Sequence, residues 1–318
     1  MRQLLFASLF FAACQCGPAT GTITDPRDSG QSSDSGVNDA GASDSGIDDA
    51  GPGCIPPDVL IALDRTLTMH RTAEGNTPPD TDAGRATSKW SMAITGIESL
   101  VSAPGLDQTL RFGLELWPRE EAGCVTLSQR IQGTNGTNPQ CQGPEFPVPP
   151  ELGTGASIAT LLDPETTKIC LSTPTGDALL GARNFLEARA DGGMATAQYV
   201  VLVTDGADWD FSCPNPNPLG VVDGLADAGI KTLVVGFSAE MSLSNGVGAA
   251  FLNDMACAGR TAKNFATACR ADAPSGSFRA INPDAGGMDV LFFTATNAAE
   301  LTSSLRAFSE TVCCGCIN

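Results

Sequence analysis

Val59-Leu60-Ile61-Ala62-Leu63-Asp64-Arg65-Thr66-Leu67-Thr68-Met69 passes from five apolar residues into an aspartate and two threonines at alternate positions. A short unbroken apolar run has no polar face, so it reads as a strand covered on both sides, the kind found in a parallel sheet. The residues after it then sit just past the carboxyl edge of that sheet. Asp64, Thr66 and Thr68 place a carboxylate and two hydroxyls there. Alone the triplet says little, because Asp and Thr are common turn and cap residues.

Tyr199 to Val203, Leu233 to Phe237 and Val290 to Phe293 read as further buried strands. Leu110, Phe112, Leu114 and Leu116 alternate with Arg111, Gly113 and Glu115, which predicts a strand with one face less covered, towards a sheet edge. Trp90, Ile94, Ile97 and Val101 recur at helical spacing, as do Leu301, Leu305, Phe308 and Val312, the latter helix opened by a cap signal at Asn297 and Glu300. Strands alternating with helices predict an α/β fold, a mostly parallel central sheet flanked by helices on both faces. Between Pro118 and Gly155 a Pro-, Gly- and Gln-rich stretch interrupts the alternation and reads as an insertion on one domain, with Cys124 and Cys141 placed to pinch its loop.

Two more oxygen-bearing segments change the weight of the first. Ser172-Thr173-Pro174-Thr175-Gly176-Asp177-Ala178-Leu179 opens a helical pattern, and Val203-Thr204-Asp205-Gly206 closes a buried strand. In open α/β sheets the crevice outside the carboxyl ends of the strands, where strand order reverses, is where ligands bind.

From about Cys54 to Cys316 the chain resembles a von Willebrand factor type A (vWA) domain, and the three segments resemble its metal-ion-dependent adhesion site, or MIDAS. The resemblance implies a Rossmann-like fold. Asp64, Thr66 and Thr68 match the Asp-x-Ser-x-Ser motif, Thr173 the distal Thr, and Asp205 the second Asp. Both serines are threonines here; each keeps its hydroxyl, adds a methyl group and stiffens χ1. The resemblance further implies Mg2+ or Mn2+ at the site, with a Glu or Asp of a partner completing the metal's shell. The donor chemistry agrees. A hard cation prefers oxygen ligands, and neutral hydroxyls beside only two carboxylates add no further charge, so one electrophilic position stays open. Trp209 and Phe211 follow Asp205 in a loop expected to overhang the metal, either as contacts to the partner or packed down over the sheet. The long loop from Met69 to Ser88 is a second candidate for specificity, or tolerated padding.

The 318 residues carry a formal net charge of -18 and a pI near 4.2, which disfavours nucleic acid and anionic lipid as partners. Part of that charge, Asp25, Asp28, Asp34, Asp39, Asp44, Asp48 and Asp49, falls before the first globular segment. The segment is Asp, Ser, Gly and Ala with almost no large apolar residue, a tether in composition. Calcium repeats also use Asp and Gly but alternate acidic oxygens within one short loop, which this stretch does not. As a flexible coil it would span about 35 Å on average and about 120 Å fully stretched.

Arg2, the apolar run Leu4 to Phe11 and the small residues Ala12 and Ala13 lead into Cys14, the pattern of an export signal too short to span a bilayer. Phe11-Ala12-Ala13-Cys14 resembles the lipobox of bacterial lipoproteins, which implies cleavage after residue 13, lipidation of Cys14 and a tether over 14–53. Gln15 after the cysteine implies an outer-membrane destination, the membrane being reached through the lipid alone. An ordinary secretory signal is the alternative.

Twelve cysteines also favour an oxidising compartment. Cys54, Cys124, Cys141, Cys170, Cys213, Cys257, Cys269, Cys313, Cys314 and Cys316 are the disulfide candidates, with connectivity open and a bridge from Cys54 to the C-terminal cluster the leading expectation. Cys16 is unassigned, and a zinc or iron-sulfur role for the C-terminal cluster has no partner histidine. His70 is the sole histidine, which argues against Ser-His or Cys-His catalysis; it is expected in a solvated loop, flanking the cation being the alternative. No phosphate-cradling Gly-rich loop is present, since Asn245-Gly246-Val247-Gly248 lacks the context. The reading is an adhesion-type module, not an enzyme, gripping a protein or envelope polymer through a cation. A metal-assisted hydrolase using Asp64 and Asp205, and a metal-free structural module, are the alternatives.

Overall fold

The computed structural model describes residues 55–136, 143–191, 196–206, 216–237, 247–272, 276–281, 290–295 and 297–314. The leader over 1–13, the tether over 14–53, Cys14, Cys16, Cys54, Cys141, Trp209, Phe211, Cys213, Cys316 and the side chains of Cys313 and Cys314 lie outside the described residues.

The apolar run beginning at Val59 forms β1 (Asp58–Asp64), buried along its whole length. The other strands are β2 (Arg111–Trp117), β3 (Glu145–Glu151), β4 (Gln198–Thr204), β5 (Lys231–Phe237), β6 (Cys269–Asp272), β7 (Ser277–Ala280) and β8 (Phe293–Ala295). Between them run α1 (Asp82–Arg85), α2 (Lys89–Val101), α3 (Leu106–Thr109), α4 (Leu127–Ile131) and α5 (Gly155–Leu161). Further on come α6 (Thr175–Asp191), α7 (Pro218–Asp227), α8 (Val247–Ala258), α9 (Phe265–Ala268) and α10 (Ala298–Cys314).

The main sheet has the order β3-β2-β1-β4-β5-β8, parallel throughout except for β3, which runs antiparallel to β2. It is an α/β Rossmann-like fold. Because β1 pairs with β2 on one side and β4 on the other, strand order reverses between β1 and β4. Alternate residues of β1 face opposite layers, as the strand pleat dictates. Ile61 and Leu63 meet Trp90, Ile94 and Ile97 of α2 and Leu301, Leu305 and Phe308 of α10. Leu60 and Ala62 meet Leu179 and Ala182 of α6, Val222 and Leu225 of α7, and Met255 of α8. Asn297 caps α10 by accepting from the Glu300 N–H at 3.0 Å. A Cβ added at Gly96 would lie 2.4 Å from Leu301 Cδ2, so the absent side chain is what lets α2 and α10 approach.

Several expectations are corrected. β2 does lie towards a sheet edge, with only β3 from the Pro118–Gly155 insertion beyond it, but neither of its faces is wet: Glu115, in register with Ala62 on the side of the sheet packed against α6, is buried where alternation suggested a solvated face. β3, Glu-Phe-Pro-Val-Pro-Pro-Glu, pairs irregularly with β2 and reads as loop in sequence because Pro147, Pro149 and Pro150 donate no ladder hydrogen bonds. Cys124 does not pinch the insertion with Cys141; it is bonded to Cys170, 46 residues on, and a second disulfide joins Cys257 of α8 to Cys269 of β6. His70 is buried, not solvated, because the short 3-10 turn Leu67–His70 folds its ring back so that Nδ1 meets the Leu67 carbonyl. The strand expected over Val290 to Phe293 begins only at Phe293, and Leu291 and Phe292 fill the core just before it.

Candidate metal centre

β1 ends at Asp64 and β4 at Thr204, the two neighbours across which strand order reverses, so their last side chains share one crevice. Asp64 is fully buried. Its Oδ1 accepts the Thr66 N–H at 2.8 Å and its Oδ2 accepts the Thr204 hydroxyl at 2.7 Å, so the carboxylate is held from both strands. The Thr66 and Thr68 hydroxyls lie 3.0 Å apart, and the Thr68 hydroxyl donates to Asp205 Oδ1 at 3.0 Å. Thr66 is buried and Thr68 exposed, so the array opens to solvent at Thr68.

The third segment arrives by a different route. The Cys170 N–H donates to the Arg65 carbonyl at 2.7 Å, and a parallel bridge pairs Cys170 with Thr66. Ser172 then takes a positive φ of 95°, and Thr173, half-buried, accepts the Thr175 N–H at its carbonyl as α6 begins. The structure thus joins Asp64, Thr66, Thr68 and Asp205 in one hydrogen-bonded array and brings the Thr173 segment alongside; the Thr173 hydroxyl makes no hydrogen bond to those four.

Three residues at this site carry roles that the sequence reading did not assign. Thr204 ties the two strand ends together. Arg65, between two candidate ligands, points away from them: its Nε donates to the Pro118 carbonyl at 2.5 Å and its Nη1 pairs with Glu145 at 2.9 Å, which fastens the insertion to the site loop. Lys89 opens α2 directly after the N-cap Ser88, is wholly buried, and brings Nζ to 2.5 Å from Asp205 Oδ2. Apart from that ion pair, Asp205 Oδ2 has no hydrogen-bond partner among the described residues. The Met69–Ser88 loop is what delivers this ammonium, since the Lys89 N–H is held by the Arg71 carbonyl and Thr72 pairs with Ser88.

Burial pushes the Asp64 carboxyl up to about 7, helped by the nearby Asp205 charge and opposed by the hydrogen bonds from Thr204 and Thr66. An arriving cation would relieve that penalty, because it stabilises the ionised form. The spacing fits such an ion. The two 3.0 Å separations along Thr66, Thr68 and Asp205 are those of neighbouring corners of an octahedron with metal–oxygen bonds of about 2.1 Å. Among the described residues no group of three His, Cys, Asp or Glu side chains is assembled to hold a metal, so an ion here would depend on hydroxyls, a donor set suited to Mg2+ or Mn2+.

The family model of the von Willebrand factor type A domain matches residues 162–273, a stretch that contains Thr173 and Asp205 and begins after Thr68. No curated protein matches the chain. Among solved structures, the PilB minor pilin from Streptococcus sanguinis is 15% identical, with 83% of this chain and 63% of that one covered at a TM-score of 0.49. The vWF domain of the type V pili tip protein Mfa5 from Porphyromonas gingivalis is 12% identical, with 83% and 97% covered and a TM-score of 0.45. Proximal thread matrix protein 1 from the mussel byssus, with a zinc-occupied MIDAS motif, is 14% identical over 81% of this chain at a TM-score of 0.44; this chain spans 48% of its length.

Proposed function

We propose that this chain is an exported cell-envelope lipoprotein whose domain, residues 54–318 with an insertion near 118–155, binds a partner through a divalent cation. Asp64, Thr66, Thr68, Thr173 and Asp205 would hold Mg2+ or Mn2+. A carboxylate from a protein or envelope polymer would complete the shell, and no turnover is involved. Cys14 would carry the lipid and residues 14–53 the tether. The observation that supports this most is the exposed Thr68 hydroxyl, 3.0 Å from both Thr66 Oγ1 and Asp205 Oδ1 at the strand-order reversal. The role of the bound ion would be to present a Lewis-acidic position; the chain's residues orient it and leave one side open.

One observation favours a second reading, a cation-free module: Lys89 already supplies a positive charge to Asp205. Calorimetry of Mn2+ with the oxidised chain separates the two. Saturable binding that weakens about 10- to 100-fold or more in Asp205→Ala is expected, by analogy with the cost of disturbing metal shells. Recovery of partners from envelope extract should likewise fall with chelator for wild type. Equal recovery with and without chelator, in wild type and Asp205→Ala alike, would overturn the cation-bridged reading.

A further inference from the structure

A lysine at the first position of a helix normally reaches water, where its ammonium keeps its hydration. Lys89 does the opposite. Its side chain is 0% exposed in the layer that also holds Trp90, Ile94 and Met69, and it ends at Asp205 Oδ2. Burying an ammonium forfeits hydration that only close opposite charge can offset, and an apolar residue of the same volume would fill the space without that loss. The lysine is also aimed. Its backbone is fixed by Ser88 as N-cap, with the Ser91 N–H donating to Ser88 Oγ at 3.1 Å, and by the 2.8 Å hydrogen bond to Arg71.

Asp205 is therefore shared: one oxygen accepts from Thr68, a candidate ligand, while the other faces the Lys89 side-chain nitrogen. We propose that Lys89 is a built-in counter-ion of this site, which weakens the hold on a divalent cation and leaves the bound ion more electrophilic, so that it selects an anionic group to complete its shell. The charges give the reason. Two carboxylates would neutralise a divalent ion completely, whereas two carboxylates and one ammonium leave it a net positive charge, and in a desolvated crevice that charge favours an incoming carboxylate over water. The inference rests on the cation reading above and assigns Lys89 a positioning and specificity role.

The test is Mn2+ titration of the full oxidised chain, followed by the spin-resonance signal of free Mn2+, for wild type, Lys89→Met, Lys89→Gln and Lys89→Arg. The neutral variants should bind Mn2+ at least tenfold more tightly than wild type, and Lys89→Arg should stay close to it. Acetate, as a stand-in carboxylate, should strengthen Mn2+ retention more in wild type than in the neutral variants. Lys89→Gln keeps a donor towards Asp205 and serves where Met impairs folding. A purely structural ion pair would lower the melting temperature of the neutral variants without tightening Mn2+, and that result would overturn the proposal while leaving the metal site standing. Absence of Mn2+ binding in all four proteins would instead remove the cation reading itself, and this inference with it.

Discussion

Glu115 occupies the middle of β2, opposite Ala62 of β1, with its side chain fully buried and neither carboxylate oxygen hydrogen-bonded among the described residues. Burial raises its pKa well above the ordinary carboxylate value. A group whose folded pKa lies above its unfolded one destabilises the fold progressively as pH rises past the unfolded value, near 4.5 here. Glu115→Met should therefore be close to neutral at pH near 4.5 and stabilising by about 1–3 kcal/mol at pH 8, read from urea midpoints at the two pH values. The same residue explains a misreading, since an alternating Glu signals a wet face and nothing local announces that a later segment will cover it. Lys89 was illegible for a related reason: a lysine at a helix start has solvent as its default, and only the path of the Met69–Ser88 loop turns it inward. The Asp64, Thr66 and Thr68 triplet was legible because it follows a buried strand directly and so falls at the carboxyl edge of the sheet; that the two hydroxyls meet depends on the 3-10 turn Leu67–His70, which no apolar period announces.

The elements divide along the same line. β1, β4 and β5 are continuous apolar runs with little alternative, and the α2 and α10 stripes are long enough to carry a period. β3 was hidden by its prolines, and β8 by being only a three-residue strand shifted past the apolar run. The Cys124–Cys170 disulfide joins the insertion to the segment that leads into Thr173, a pairing that spacing alone does not select among many. Chain entropy for a loop of 46 residues suggests about 4 kcal/mol of stabilisation. The double variant Cys124→Ser with Cys170→Ser should lose stability on that scale and also bind Mn2+ more weakly, because Cys170 is the anchor that sets the Thr173 segment against Thr66. Removing Cys257–Cys269, which closes 12 residues away from this crevice, should lower the melting temperature and leave Mn2+ affinity unchanged, as calorimetry on both variants would show.

On the scale of the whole molecule, 36 acidic residues against 18 basic ones make self-repulsion a standing cost of compaction. Raising NaCl from about 20 to about 150 mM shortens the screening length to about 8 Å, and should stabilise the fold by about 1 kcal/mol, or about 2–4 °C in melting temperature. A melting temperature that falls with salt would mean that the exposed ion pairs, such as those of Arg85 with Asp80 and Glu165, outweigh the repulsion.

The two borders of the main sheet differ from its interior in what they offer another backbone. β3 carries Pro147, Pro149 and Pro150, and β8 presents only three residues. A foreign strand laid along either border would find too few donors and acceptors in register to continue the ladder. Copies packed side by side at high local density can therefore collide without zipping into fibres along the rims of this sheet.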